Sequence, residues 1–312
     1  MRRLAFAAVA AALAVIAGGC RSGGNACAVL CSGPRGGVTK HVVLVGVDGF
    51  GARYVPWNVM PNLSALRDGG VYGVGRNSFP TSSGINWATA MFGTVVEIHG
   101  YRNWNSRLPD VPAWRVLDTG RPACIFHEIR RQRPDACTAA LYNWDGIGFC
   151  MNSNDVSFAE YFAKGSPEQR DDDAMSRGIE LIAKRHPSLT FVYQHMPDIN
   201  GHKFGWGTPE FTNACVNVDR NLGRLRDAIA RDPEMADAVI LLVADHGGTG
   251  KRHGSACLEC FEIPFLVNGA PVKDMALREP VLLADTAPTI AWLLGLDVIE
   301  EWRGRPALKC RR

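Results

Sequence analysis

Three short apolar runs in this chain lead to an aspartate, and that pattern restricts the fold more than any other feature. His41-VVLVGV-Asp48 is nearly all valine and leucine; the run from Leu189 to His195 leads to Met196-Pro197-Asp198; the run from Ala238 to Ala244 stops at Asp245-His246. Continuous apolar segments of this length read as strands covered on both faces, the signature of a parallel sheet between helices. Ligands of an open parallel sheet lie beyond the carboxyl ends of its strands, so all three aspartates are expected at one rim. One aspartate after a strand is ordinary turn chemistry. Three together predict a site.

The segments between these runs supply the helices. Helical patterns are predicted over about 61–67, 84–92, 123–131, 172–185, 209–230 and 286–294, and extended segments over about 71–79, 137–143 and 263–267. This βα alternation predicts an α/β fold with a mainly parallel central sheet and helices on both faces. No internal repeat or linker interrupts residues 41–309, which are therefore expected to form a single catalytic domain.

The most informative stretch is Leu241–Gly254, LLVADHGGTGKRHG. Its strand presents a carboxylate and an imidazole, and a second imidazole follows a glycine-rich turn at His253. Asp198-Ile-Asn-Gly-His202 adds a histidine four residues after its aspartate, a spacing that one helical turn or a tight loop can fold onto a single ion. His253 would complete this group, leaving an open position, as in catalytic zinc sites. Asp48, Asp245 and His246 would hold a second ion. Ser83, at or just before the N-terminus of the helix over 84–92, would stand between them, where orphan N–H groups favour an anion. Each feature has a plainer reading: solvated histidines on a turn, and serine as an ordinary N-cap. In the two-ion reading, the ions orient the attacking and leaving oxygens of an in-line displacement and lower the pKa of the serine hydroxyl. A covalent phosphoserine would form and then be released by water.

The amino-terminal stretch predicts export. Met1-Arg-Arg, an apolar run from Leu4 to Ala17, and Gly18-Gly19-Cys20 have the form of a signal peptide over 1–19, too short to span a bilayer. Cys20 is the expected lipidated first mature residue, and residues 20–40 read as a flexible tether to a periplasmic or cell-surface body. Arg2 and Arg3 belong to the leader, so the formal charge of +3 leaves a nearly neutral body with no sign of a nucleic-acid module. Ten cysteines suit an oxidising compartment. Cys27-x-x-x-Cys31 and Cys257-Leu-Glu-Cys260 read as disulfide or buried thiols, with the halves of a zinc knuckle as the alternative.

Taken in order, Asp48-Gly-Phe, Phe79-Pro-Thr-Ser-Ser-Gly-Ile-Asn-Trp87, His99-Gly100, Pro197-Asp198-x-x-Gly-His202, Asp245-His-Gly-Gly and His253-Gly resemble the alkaline phosphatase superfamily, in particular its type I phosphodiesterase/nucleotide pyrophosphatase branch. The resemblance covers about residues 41–308. It implies a three-layer sandwich and two zinc ions, one with Asp48, Ser83, Asp245 and His246 and the other with Asp198, His202 and His253. It also implies Ser83 as the nucleophile, with Thr81 and Ser82 as neighbouring alternatives, and an asparagine donor to the phosphate. Asn103 ranks first for that role, then Asn105; Asn86 would serve the same end or cap the helix. The sulfatase signature is missing, because Ser83-Gly-Ile-Asn lacks the required proline and arginine.

The expected function is therefore an exported hydrolase of small phosphate esters, held at the membrane by a lipid alone. A phosphodiesterase is the leading expectation. A phosphomonoesterase or related phosphotransferase or phosphonate hydrolase is the alternative, kept by Arg102; a non-catalytic metal-binding lipoprotein comes last. Trp87, Tyr101, Trp104 and Trp144 are candidates for an aromatic leaving-group slot, with burial in the core as the plainer account.

Overall fold

The computed structural model describes residues 37–310. The expected leader, Cys20, Cys27, Cys31 and most of the tether lie outside them. The first strand, β1 (Val42–Val47), is buried at all six positions and runs in parallel register between two equally buried strands, β5 (Leu189–Gln194) and β6 (Val239–Ala244). These are the three apolar runs. With neighbours on both edges and helices on both faces, each valine or leucine there contributes about 1.5–3 kcal/mol on burial.

The full sheet has the order β2-β7-β6-β1-β5-β3-β4. The remaining strands are β2 (Val71–Arg76), β3 (Thr138–Tyr142), β4 (Phe158–Tyr161) and β7 (Glu262–Asn268). Strand β7 runs antiparallel to both of its neighbours, β6 and β2, and the other pairings of this sheet are parallel. A separate antiparallel pair joins β8 (Met275–Leu277) to β9 (Leu308–Cys310).

Two groups of helices cover the sheet. In one, α1 (Pro61–Asp68), α4 (Pro167–Arg185), α5 (Met196–Phe204) and α6 (Pro209–Arg231) pack among themselves; in the other, α2 (Ser83–Phe92), α3 (Ile125–Gln132) and α7 (Thr286–Leu294) form a chain of contacts. Strand periodicity separates the groups. Phe191 and Tyr193 of β5 meet Trp87 of α2, whereas Val192 faces the position of Gly178 on α4.

Several boundaries differ from the sequence reading. Helix α4 starts at Pro167, where the Ser166 hydroxyl accepts from Gln169 N and proline occupies the first turn. The extended segment expected over 71–79 pairs in the ladder only as far as Arg76; beyond it the Asn77 amide donates to the Asp245 and Cys260 carbonyls and Ser78 N donates to Asn86 of α2. The segment after β5 is helical from Met196, with Pro197 in the first turn. Strands β4, β8 and β9 are only three or four residues long, and the sequence pattern does not show them.

Gly46 shows how closely α2 approaches β1: a Cβ there would lie 2.6 Å from the Trp87 ring and 2.7 Å from Phe191. Gly46→Ala is expected to destabilise the fold by about 1–3 kcal/mol, the usual cost of overpacking. A lower urea midpoint at unchanged slope would confirm it, and an unchanged midpoint would refute it.

Candidate metal centre and active site

Asp48 follows β1, Asp245 and His246 follow β6, and Asp198 lies in the first turn of α5 just beyond β5. Because β5, β1 and β6 are adjacent and parallel, the side chains meet. Ligand atoms of Asp48, Asp245 and His246 lie within 4.8 Å of one another, as do those of Asp198, His202 and His253. His246 Nε2 sits between the groups, 3.3 Å from Asp245 Oδ2, 3.5 Å from Asp48 Oδ1 and 4.0 Å from Asp198 Oδ1.

Three backbone carbonyls decide how the histidines are presented. His246 Nδ1 donates to Gly247 O at 2.9 Å, His253 Nδ1 to Thr81 O at 2.9 Å and His202 Nδ1 to Lys251 O at 3.2 Å. A carbonyl only accepts, so each Nδ1 carries the hydrogen and each Nε2 turns a lone pair inward. His202 Nε2 and His253 Nε2 then face each other at 3.0 Å, with Asp198 Oδ1 at 3.6 and 3.9 Å. Lone pairs and a carboxylate converging at these distances repel unless a cation lies among them. The atoms have the spacing of ligands about 2 Å from one centre, and the carbonyls are the outer partners that orient such ligands. Asp198 Oδ1 and Asp245 Oδ2 are buried with no hydrogen-bond partner, as acceptors reserved for a cation would be. The residues fit divalent metal.

Electrostatics agree. Burial, then the charge of Asp198, raises Asp48 above the usual carboxylate range; burial, then Asp48 and Asp198, raises Asp245 well above it. Burial also opposes charge on Asp198, but the nearby His195, His246 and His202 outweigh it and bring Asp198 to about 2. Burial lowers His253 to about 4, keeping it neutral as a ligand must be.

Ser83 is the first residue of α2, with Ser82 as the N-cap residue. Its Oγ lies 3.0 Å from His246 Nε2 and donates to Asp48 Oδ1 at 3.4 Å. One helical turn later on the same face, Trp87 Nε1 donates to Asp48 Oδ2 at 3.1 Å, and Tyr193 Oη donates to the same oxygen at 2.5 Å. Gly49 N donates to Asp245 Oδ1. Gly49 has φ +67°, and a Cβ there would lie 2.8 Å from Asp198 Cα, so only glycine lets the chain pass.

Other expected residues are used differently. Thr81 is fully buried; its hydroxyl donates to Ser255 O and accepts from Gly254 N, so it braces the loop of His253. Asn86 is also fully buried: its Oδ1 accepts from Ser78 N and its amide donates to Ser78, Pro80 and Ser82 carbonyls, so it clamps the preceding loop. Asn103 donates to Asp110 Oδ1, so its amide is engaged away from the metal-ligand clusters. Asn105 is exposed and, like Asn103, does not line the cavity over the site. His99 is buried between Thr89 and Tyr101 N, where burial lowers it to about 3.

A cavity of about 690 Å³ opens over Ser83, Asp198, His202 and His253, with Trp104 and Trp144 on its wall. Trp87 and Tyr101 are core residues and leave the aromatic slot to the other two. His195 also lines the cavity and was missed. Its Nε2 lies 3.7 Å from Asp198 Oδ2, and although burial opposes its charge, contact with Asp198 holds its pKa above the usual value. Strand alternation, which puts Tyr193 and His195 on one face, is the signal that would have found both.

Tyr193→Phe removes one donor from Asp48 without removing a proposed ligand. It is expected to weaken divalent-metal binding by about 10–100-fold at unchanged fold; competition with a chromophoric chelator measures this, and wild-type affinity would exclude a supporting role.

The sequence profile of the type I phosphodiesterase/nucleotide pyrophosphatase family matches residues 42–257. Venom phosphodiesterase of Macrovipera lebetinus is 27% identical over 230 residues, covering 69% of this chain and 26% of that protein. The chain thus spans about a quarter of the length of the venom phosphodiesterases it matches. Murine ectonucleotide pyrophosphatase/phosphodiesterase 5 superposes with a TM-score of 0.64 at 18% identity, over 86% of this chain and 100% of that one. A protein of the alkaline phosphatase superfamily from Vibrio parahaemolyticus superposes with a TM-score of 0.60 at 17% identity, over 88% and 71%. These structures share the α/β fold, a mostly parallel sheet flanked by helices.

Proposed function

The chain belongs to the type I phosphodiesterase/nucleotide pyrophosphatase family, and from that premise we propose that it hydrolyses phosphodiesters through Ser83 at a two-metal site. The observation that carries this reading is the inward convergence of the His202, His246 and His253 Nε2 lone pairs with three buried carboxylates around one serine hydroxyl.

Asp48, Ser83, Asp245 and His246 would hold one ion, and Asp198, His202 and His253 the other; zinc follows from the resemblance and suits the mixed imidazole and carboxylate donors. When bound, the ions neutralise charge on the transferred group and promote loss of the serine proton. The chain's own residues supply the rest. Ser83 Oγ attacks phosphorus, one alcohol departs on its ester oxygen, and the serine carries the phosphoryl group still esterified to the other alcohol; water releases this as a phosphomonoester in a second displacement. The α2 N-terminus directs backbone N–H groups at the phosphoryl oxygens. Trp104, 58% exposed, and Trp144 offer flat apolar faces to the leaving group. Among the described residues Lys203 brings a positive charge to the cavity wall; Arg102, which favoured a monoester, is exposed and does not line it. The guanidinium that kept the monoester alternative is thus absent from the wall.

Residues 41–309 would act as one catalytic unit on a small phosphate ester, exported by the 1–19 leader and anchored through Cys20. No described helix is long and apolar enough to cross a membrane.

With zinc loaded, wild-type protein is expected to cleave a nitrophenyl phosphodiester faster than the nitrophenyl monoester; the reverse preference would select the phosphomonoesterase, and no turnover of either the binding scaffold. Ser83→Ala should keep its zinc and lose hydrolysis by several orders of magnitude, whereas near-normal turnover would place the nucleophile elsewhere. Trp104→Ala is expected to raise KM for an aromatic diester about tenfold with little change in kcat, as loss of uniform binding would; an unchanged KM would remove it from the slot.

A further inference from the structure

Cys257 and Cys260 take no part in the proposed chemistry, yet they stand at the root of the loop that carries His253. Their Sγ atoms are 2.9 Å apart, inside sulfur–sulfur contact distance, and the Ser255 hydroxyl lies 3.4 Å from both. No third histidine, cysteine or carboxylate among the described residues forms a metal-binding group with them, so the zinc-knuckle alternative finds no other half there. Cys257 precedes the helical turn Leu258–Phe261 and Cys260 lies within it, so the pair points the same way across a single turn.

The backbone around the pair holds the site. The Cys260 carbonyl accepts from Gly247 N, the residue after His246, and from Asn77 Nδ2, which also donates to Asp245 O. Ser255 O accepts from Thr81 Oγ1, which accepts in turn from Gly254 N, while Thr81 O fixes His253 Nδ1. Between these anchors, Thr249–Arg252 are exposed.

We propose that Cys257 and Cys260 are a redox-sensitive dithiol that closes to a disulfide in an oxidising compartment and clamps the root of the His246–His253 loop. The oxidant is a small or protein disulfide. Cys257, the partly exposed sulfur, attacks it as thiolate and releases one donor sulfur, giving a mixed disulfide. Buried Cys260 then attacks Cys257 Sγ and releases the second. Two protein thiols are oxidised, the donor is reduced to two thiols, and their two protons pass to it. The closed ring is too short to remove much unfolded-chain entropy, so the effect is local order.

The test uses the full chain incubated with oxidised glutathione, alkylated without reduction and digested. The peptide carrying both residues is expected unalkylated and two hydrogens lighter than the dithiol, becoming doubly alkylated after reduction. Hydrogen exchange of amides 247–256 should then accelerate on the order of tenfold on reduction, with the sheet amides unchanged. Cys257→Ser, at the more accessible position, should show the faster exchange whether or not reductant is present. Alkylation of both thiols after oxidation, a bridge from either to another cysteine, or exchange indifferent to reduction would overturn the proposal. The thiol mapping depends on neither metal binding nor hydrolysis, and exchange is compared between oxidised and reduced protein freed of metal by chelator, so failure here is separable from failure of the proposed function.

Discussion

Three carboxylates crowded into a nearly water-free space set the terms for the rest of the structure. Asp48 and Asp245 are fully buried and Asp198 is 7% exposed, and a single imidazole nitrogen lies within 4.0 Å of all three. Two like charges about 4 Å apart repel by about 4 kcal/mol even at an effective dielectric of about 20, comparable with the whole stability of many domains. Hydrogen bonds offset part of this. Asp48 has Tyr193, Trp87 and Ser83 as donors and Asp245 has Gly49 N, while Asp198 Oδ1 and Asp245 Oδ2 have none. The remainder calls for positive charge among the carboxylates, which is why the cluster reads as a metal centre.

The fold brings these groups together cheaply in conformational terms. Parallel register between β5, β1 and β6 sends all three chain segments out at one edge, so Asp48, Asp198 and Asp245 need no long loops to meet. Helix α2 adds Ser83 and Trp87 from one face, and the close contact of Trp87 with Gly46 fixes its depth over the sheet. The histidines depend on less rigid supports. His253 lies on an exposed loop and is held through Thr81 and the turn bearing Cys257 and Cys260, so order at this end of the site rests on a few backbone hydrogen bonds.

Much of this was legible in residue order. The three apolar runs became the three central strands because unbroken valine and leucine in short segments suit a sheet covered on both faces. The two candidate metal-binding groups were legible as Asp-x-x-x-His and Asp-His with a later histidine, since helix and strand geometry limit where such residues can point. The phosphate-binding asparagines were not. Asn86 and Asn103 are used by partners at Ser78 and Asp110, and an amide's type and spacing say nothing about which partner claims it. Edge strands β4, β8 and β9 were equally hidden, being too short for periodicity to register.

The chain's sequence alone determined the α/β class, the aspartates at strand ends, the serine at a helix start and the ordered motifs of the family, because these depend on local pattern and on which residues follow which. Tertiary structure alone decided that Nε2 faces inward in His202, His246 and His253, that Tyr193 and Trp87 hold Asp48, that His195 reaches the cavity, and that Thr81 braces a loop. Apart from the His246 bond to the adjacent Gly247 carbonyl, each of those outcomes is a hydrogen bond or contact between residues separated in the chain, chosen by packing among many partners that the sequence permits equally.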